Sequence, residues 1–202
     1  RSILYEYIQR LLLDESWLEF FVEGTRSRAG KMLGPKFGLL NIVADTYFDQ
    51  KLPDVQFVPI TLNYEKVLEG ESFPFELLGE AKIKESLLRV VRAGSILNQN
   101  FGRVYVEFGD PISLKAYTEK FGKKVMSTPQ LTDGQIVESK AVKKFNPFED
   151  QKDRKELINE LALDIIDIMH KKLVVMPTAV VASVILMHRK GIKDDQLVSK
   201  VE

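Results

Sequence analysis

The 202 residues contain no cysteine and only two histidines, His170 and His188. The first absence removes a disulfide-stapled secreted domain, a thiol nucleophile and cysteine-ligated zinc. No Gly-x-Ser-x-Gly elbow occurs either, so hydrolase-triad chemistry has no support, and no His/Cys cluster suggests a metal site. Charge of one sign is not in excess: Lys+Arg and Asp+Glu are 29 each. A chain so balanced has no general electrostatic pull toward nucleic acid or toward a membrane. A long apolar span is missing too. The nearest approach, Leu173 to Met187, contains Pro177 and stops short of the roughly 20 residues that cross a bilayer.

What is present is enough apolar material for a compact core, 45% hydrophobic against 29% charged. The pattern alternates between helical and strand periods, which indicates α/β organisation. Ile3 to Leu13 has helical spacing, with Ile3, Leu4, Tyr7, Ile8, Leu11 and Leu12 apolar. Leu18 to Val22 reads as a short strand and Pro35 to Tyr47 as a helix with proline near its first turn. Val55 to Leu62 reads as a strand that Pro59 marks as an edge, a bulge or a functional bend. A helix over Lys84 to Asn98 and a strand over Val104 to Phe108 follow, the latter ending in the Gly109-Asp110-Pro111 turn. Three regions are expected: an α/β part over 1–114, a connecting segment of little order over 115–152, and a helical region over 153–202. In the last, Leu157, Ile158, Leu161, Ile165, Ile168 and Met169 form the buried stripe of an amphipathic helix. Pro177 opens a second helix, read first as a core element and alternatively as one lying in a membrane interface between Lys171-Lys172 and His188-Arg189-Lys190.

The chemistry concentrates at Phe20-Phe21-Val22-Glu23-Gly24-Thr25-Arg26-Ser27-Arg28. An apolar stretch runs into an acid, a glycine that frees the backbone to turn, and two arginines two positions apart. Lys31 and Lys36 follow. A guanidinium fork takes a phosphate through paired hydrogen bonds, so the pattern reads as an anion site, the alternative being a solvated basic turn. It is not a nucleotide phosphate loop of the G-x-x-x-x-G-K-[ST] type. Five residues separate Gly24 from Gly30, and Met32 stands where the magnesium-binding hydroxyl belongs.

Phe21 to Arg28 resembles the third block of the glycerol-3-phosphate and dihydroxyacetone-phosphate acyltransferases. The likeness continues through Pro35-Lys36-Phe37-Gly38-Leu39-Leu40 and reaches the fourth block at Phe57-Val58-Pro59-Ile60-Thr61-Leu62-Asn63-Tyr64-Glu65-Lys66-Val67. Further matches are Glu76-Leu77-Leu78-Gly79, Lys84-Glu85-Ser86, Phe108-Gly109-Asp110-Pro111-Ile112-Ser113-Leu114 and the tail Pro177-Thr178-Ala179-Val180-Val181-Ala182. One block is missing. The family's general base is a histidine followed at the fifth position by an aspartate, but Val175 follows His170 there and Lys193 follows His188. Both histidines also lie on the wrong side of the Glu-Gly-Thr-Arg block, and read as cations at helix ends. The chain is therefore expected to be a piece of a longer enzyme, the C-terminal part of a glycerophosphate-acyltransferase-type α/β domain followed by a helical extension, without catalytic residues of its own.

The resemblance implies an acyl-CoA-dependent O-acyltransferase acting on the sn-1 hydroxyl of glycerol 3-phosphate or the corresponding hydroxyl of dihydroxyacetone phosphate. Acyl-CoA would be a co-substrate, with no cofactor or metal and no nucleic acid partner. By the same resemblance Glu23, Gly24, Thr25, Arg26 and Arg28 form the acceptor-phosphate site, Arg26 being the first choice for the phosphate, Arg28 supporting it, and Glu23 and Gly24 shaping the strand-to-loop turn. Pro59 would form a second wall of the pocket. The Pro35 to Val43 stretch looks closer to the dihydroxyacetone-phosphate branch, which implies a membrane surface, peroxisomal before mitochondrial or reticular. The competing readings are a phosphate- or lipid-binding module that lacks the base, and an adaptor using its C-terminal helices.

Overall fold

The computed structural model describes residues 2–25, 27, 31–65, 78, 102–127, 130–132, 135–137 and 145–201. The helix expected over 84–98 and the matches at 76–79 and 84–86 fall outside these residues, apart from Leu78. The chain divides into two compact units, each made of two separate stretches: Arg1–Pro59 with Phe108–Lys171, and Ile60–Glu107 with Lys172–Glu202.

In the first unit, α1 (Ser2–Leu13) packs on α2 (Phe37–Phe48), and α2 packs on the long helix α4 (Gln151–Lys171). Helix α3 (Leu114–Ser127) joins α4 from the side. Each interface is the apolar stripe of a helical period. Leu40, Val43, Ala44, Tyr47 and Phe48 from α2 meet Leu157, Ile158, Leu161, Ala162 and Ile165 from α4 in one buried cluster, which also takes in Ile8, Leu114 and Phe121. Leu157 and Leu161 are fully buried, and truncating such a leucine to alanine costs about 2–5 kcal/mol. Thr46, also buried, donates its hydroxyl to the Ile42 carbonyl at 3.2 Å and so enters the core without an orphaned polar group.

Two short strands bring the sequence-distant halves of this unit together. Strand β1 (Gln56–Phe57) pairs antiparallel with β4 (Ile112–Ser113), Gln56 opposite Ser113 and Phe57 opposite Ile112. The Asp54 carboxylate fastens this junction, accepting from the Ser113 hydroxyl at 2.7 Å and the Lys115 amide at 2.9 Å. Ser113 in turn accepts the Ala116 amide at 3.1 Å, an N-cap for α3. A small antiparallel pair, β5 (Gln130–Thr132) and β6 (Gln135–Val137), follows α3.

Helix α3 corrects the expected connecting segment. Leu114, Tyr117, Thr118, Phe121 and Val125 recur at helical spacing, and Leu114, Thr118 and Phe121 are buried. The many lysines masked this stripe, because they occupy the opposite, solvated face. The strand expected over Leu18 to Val22 is a second correction. It has no regular secondary structure, Val22 already belongs to a turn, and its Phe21 is 75% exposed. Strand propensity without a ladder partner does not make a strand.

In the second unit, β2 (Ile60–Tyr64) lies beside β3 (Val104–Phe108). The single strand read over 55–62 is thus two, broken at Val58-Pro59, as a proline without an N–H requires. Helices α5 (Pro177–Met187) and α6 (Asp194–Val201) pack together. Pro177 stands in the first turn of α5, where its missing N–H is of no consequence. The first reading of α5 as a core helix does not hold: it has no buried residue, and Leu186 and Met187 are 74% and 80% exposed. Among the described residues no helix is long and apolar enough to cross a membrane.

Arg154, near the start of α4, carries the main polar link of the first unit. Its guanidinium donates to Asp45 on α2 at 3.0 Å, to Asp49 just past the end of α2 at 3.2 Å, and to the carbonyls of Pro147 and Phe148, while lying over the Phe48 ring. Burial pushes the Asp45 carboxyl above its usual range, and Arg154 opposes that rise. An acid whose folded pKa is raised contributes stability at low pH that is lost as pH climbs through the folded value. Arg154→Met is therefore expected to destabilise the protein by about 2–3 kcal/mol near neutrality. The loss should shrink at a second, acidic pH below the raised titration range of Asp45, where the carboxyl holds its proton. Denaturant melts at the two pH values check this, and an equal loss at both would separate Asp45 from the effect.

Helices α1 and α2 end alike. Glu15 and Gln50 sit at φ +56° and +58°, and the amides of Ser16 and Lys51 reach back to the carbonyls of Leu11 and Thr46. This is the Schellman ending that glycine ordinarily closes. Gln50→Gly should accordingly stabilise the protein by about 0.5–1 kcal/mol, read in the same melts, since it relieves a left-handed side chain.

Candidate functional site

The residues singled out at 20–36 form a loop closed at its base. The Val22 carbonyl accepts the Lys36 amide at 2.7 Å, and the Glu23 carboxylate accepts the Leu33 amide at 2.6 Å. Lys36 is extended, at φ −102° and ψ 123°, and hands the chain directly into α2. The C-terminal anchor of the loop is therefore the first residue outside a helix that is itself packed into the core.

Gly24 turns the chain between these two bonds. Its amide donates to the Phe21 carbonyl at 3.0 Å and its φ is +64°, a left-handed value that glycine adopts without strain. A Cβ there would stand 2.8 Å from Cγ of Lys36. The glycine is needed both for its dihedral angle and for the lysine stem that crosses it. Thr25 follows, exposed. Arg26 and Arg28 lie outside the described residues; along the chain they stand between Glu23 and Leu33, the two ends of the carboxylate clasp.

Pro59, the other residue singled out, is buried between β1 and β2. Its carbonyl accepts the Gly109 amide at 2.7 Å. A Cβ on Gly109 would come within 2.9 Å of Ile168 on α4 and 3.2 Å of the Pro59 ring, so this contact requires glycine. The stretches around Pro59 and around Gly109-Asp110-Pro111, some fifty positions apart in sequence, thus meet at a backbone hydrogen bond. Sequence reasoning saw Gly109 only as a turn. Its place after a strand and before Asp-Pro was the available signal, but nothing in one sequence says which backbone it touches.

The two histidines are placed as helix-end groups. His170 is in the last turn of α4 with Lys171, favourable to the helix dipole. His188 follows α5, and its Nδ1 is 2.8 Å from the Val184 carbonyl. Among the described residues no group of three or more His, Asp or Glu side chains is arranged to hold a metal.

Comparison with known proteins accounts for almost the whole chain. The Acyltransferase family model matches residues 1–63, and the model for the glycerol-3-phosphate acyltransferase C-terminal region matches residues 75–202. Dihydroxyacetone phosphate acyltransferase of Homo sapiens is 35% identical over 200 residues, covering 98% of this chain and 28% of that protein. Glycerol-3-phosphate acyltransferase 1, mitochondrial, of Sus scrofa is 33% identical over 215 residues, covering 98% of this chain and 26% of that protein. The chain spans between a quarter and a third of the length of these curated relatives. With more than half of its length matched by the C-terminal-region model, and with the Glu-Gly-Thr-Arg loop and the Pro59 stretch within the remainder, the chain belongs to the glycerol-3-phosphate acyltransferase family.

Proposed function

We propose that this chain is the acceptor-binding part of an acyl-CoA-dependent O-acyltransferase that acylates the sn-1 hydroxyl of glycerol 3-phosphate or the equivalent hydroxyl of dihydroxyacetone phosphate. The observation that carries the proposal is the pair of bonds Val22–Lys36 and Glu23–Leu33, which bracket the stretch whose sequence holds Arg26 and Arg28, in a family whose named members act on these two phosphates. Arg26 takes the phosphate through its guanidinium fork, Arg28 adds a second positive charge, and Gly24 and Thr25 form the turn that leads into them. Pro59 forms a second wall.

The chain's own contribution is to bind and orient. Holding the phosphate fixes the acceptor hydroxyl near the thioester, so that two molecules react as though joined. An imidazole supplied from outside these 202 residues removes the hydroxyl proton. The oxygen attacks the thioester carbonyl, and the tetrahedral intermediate expels CoA thiolate, which takes the proton. Acyl-CoA is thus a co-substrate, and no cofactor is invoked.

The reaction is placed at a membrane surface, with the peroxisomal membrane favoured over the mitochondrial outer membrane or the endoplasmic reticulum. The exposed apolar side chains of α5 and the adjoining Arg189 and Lys190 support contact with such a surface. Dihydroxyacetone phosphate is the favoured acceptor.

The test is transfer of labelled palmitate from palmitoyl-CoA by the full-length product of the gene, with both acceptors offered side by side. Product from one acceptor is expected. An intact, folded protein giving product from neither would point instead to a binding module without catalysis. In the active enzyme, Arg26→Ala should raise the acceptor KM by tenfold or more, since about 1.5–3 kcal/mol of charged hydrogen bonding is lost. The acyl-CoA KM should stay near its original value; an unchanged acceptor KM would remove Arg26 from the site.

A further inference from the structure

A helix that is apolar on every side needs apolar surroundings on every side. Helix α5 is such a helix. Its 11 residues carry no charge, and Thr178 and Ser183 are its only polar side chains. The Ser183 hydroxyl is spent within the helix, on the Ala179 carbonyl at 2.7 Å. No residue of α5 is buried, and at its C-terminal end Ile185, Leu186 and Met187 are all exposed. Consecutive helical side chains point about 100° apart. These three therefore ring the end of the helix and do not form a stripe along it.

A tight turn follows. The Gly191 amide donates to the His188 carbonyl at 2.8 Å, and Gly191, at φ +96°, leads the chain round toward α6. Arg189 and Lys190 lie in this turn, exposed and without an ion-pair partner among the described residues. The next acids along the chain, Asp194 and Asp195, open α6, where a helix N-terminus favours negative charge. Leu186 to Gly191 line one surface concavity, so the apolar ring and the two cations belong to a single surface.

We propose that this helical tip docks on lipid: Ile185, Leu186 and Met187 enter the acyl region of a bilayer while Arg189 and Lys190 hold anionic phospholipid headgroups. The proposal deepens the membrane placement given above and rests on it. A protein groove covers one side of a helix, whereas lipid tails surround a tip on all sides, as the ring of three side chains requires. The turn supplies the complementary charge, since each cation near an anionic leaflet adds attraction. Eleven residues rise about 16 Å, roughly half the hydrocarbon thickness, so α5 dips into one leaflet and does not cross.

The test is hydrogen exchange, read by mass spectrometry, on the full-length product of the gene. Vesicles are phosphatidylcholine alone or phosphatidylcholine mixed with phosphatidylserine, and flotation is followed in parallel. Amides over 186–193 are expected to exchange about fivefold or more slower with the mixed vesicles. Leu186→Asp with Met187→Asp should abolish the slowing. Arg189→Gln with Lys190→Gln should abolish the difference between the two vesicle types. All four side chains are exposed, so the substitutions spare the core; if the aspartate pair does not fold, Leu186→Ser with Met187→Ser replaces it.

A tip that exchanges slowly without vesicles, and no differently with them, would overturn the proposal and give α5 a protein cover. Equal slowing with both vesicle types would overturn the headgroup role of Arg189 and Lys190. Flotation tells the remaining failures apart. Enzyme that floats while its tip exchanges as in solution defeats the docking tip alone, whereas enzyme that floats with neither vesicle defeats the membrane placement itself.

Discussion

The guanidinium of Arg154 is the interaction on which the first unit depends. Its planar fork reaches one carboxylate on α2 and one at its C-terminal cap, two carbonyls in the turn before α4 and the face of Phe48, so one side chain joins three segments that the apolar core alone would leave free to slide. A hydrophobic interface sets how closely α2 and α4 approach, but directional bonds set their register. The burial that lifts the Asp45 carboxyl also shows the tension in the arrangement: the acid is worth keeping charged only while the arginine is there.

The consequence reaches the loop. Helix α2 begins at Phe37, directly after Lys36, whose amide closes the loop onto Val22. Whatever fixes α2 fixes Lys36, and the packing of Leu40, Val43 and Phe48 against α4 therefore supports the Val22–Lys36 bond. At the near end the chain has no strand to rely on, and the turn at Gly24 together with the Glu23 clasp takes over that duty. A binding loop positioned by a packed helix is the usual division of labour between scaffold and site.

Much of this was legible in the sequence, and the parts that were not share a physical cause. The α2 and α4 stripes were readable because apolar side chains at three- and four-residue spacing have one explanation, burial against a neighbour. The break at Pro59 was readable because proline lacks the donor a ladder needs. The Glu-Gly-Thr-Arg stretch announced itself by composition and by its family likeness. Helix α3 was missed because the seven- and four-residue steps from Leu114 to Phe121 and on to Val125 are diluted by lysines on the solvent face. The ends of α1 and α2 carried no glycine, so Glu15 and Gln50 gave no stop signal. Leu33, Arg154, Asp54 and Gly109 were invisible as key partners because their work is done across distances in sequence that only the folded chain closes. The clasp at Glu23 belongs to the same class: the acid could be seen, its partner could not.

The interleaving of the two units bears on how the chain comes to be folded at all. The first unit is opened by Ile60–Glu107 and completed only by residues up to Lys171, and the second is opened in turn by residues 108–171. On the ribosome, α2 is made long before Leu157 and Leu161 emerge to cover it, so its apolar face must wait in solvent or in a chaperone's keeping. High separation between contacting segments makes such folding slow. No single cut yields either unit by itself, free of the other's residues. A nick between 60 and 107 would leave the first unit's covalent path broken but all of its core residues present, whereas truncation before α4 would strand α2 without its partner.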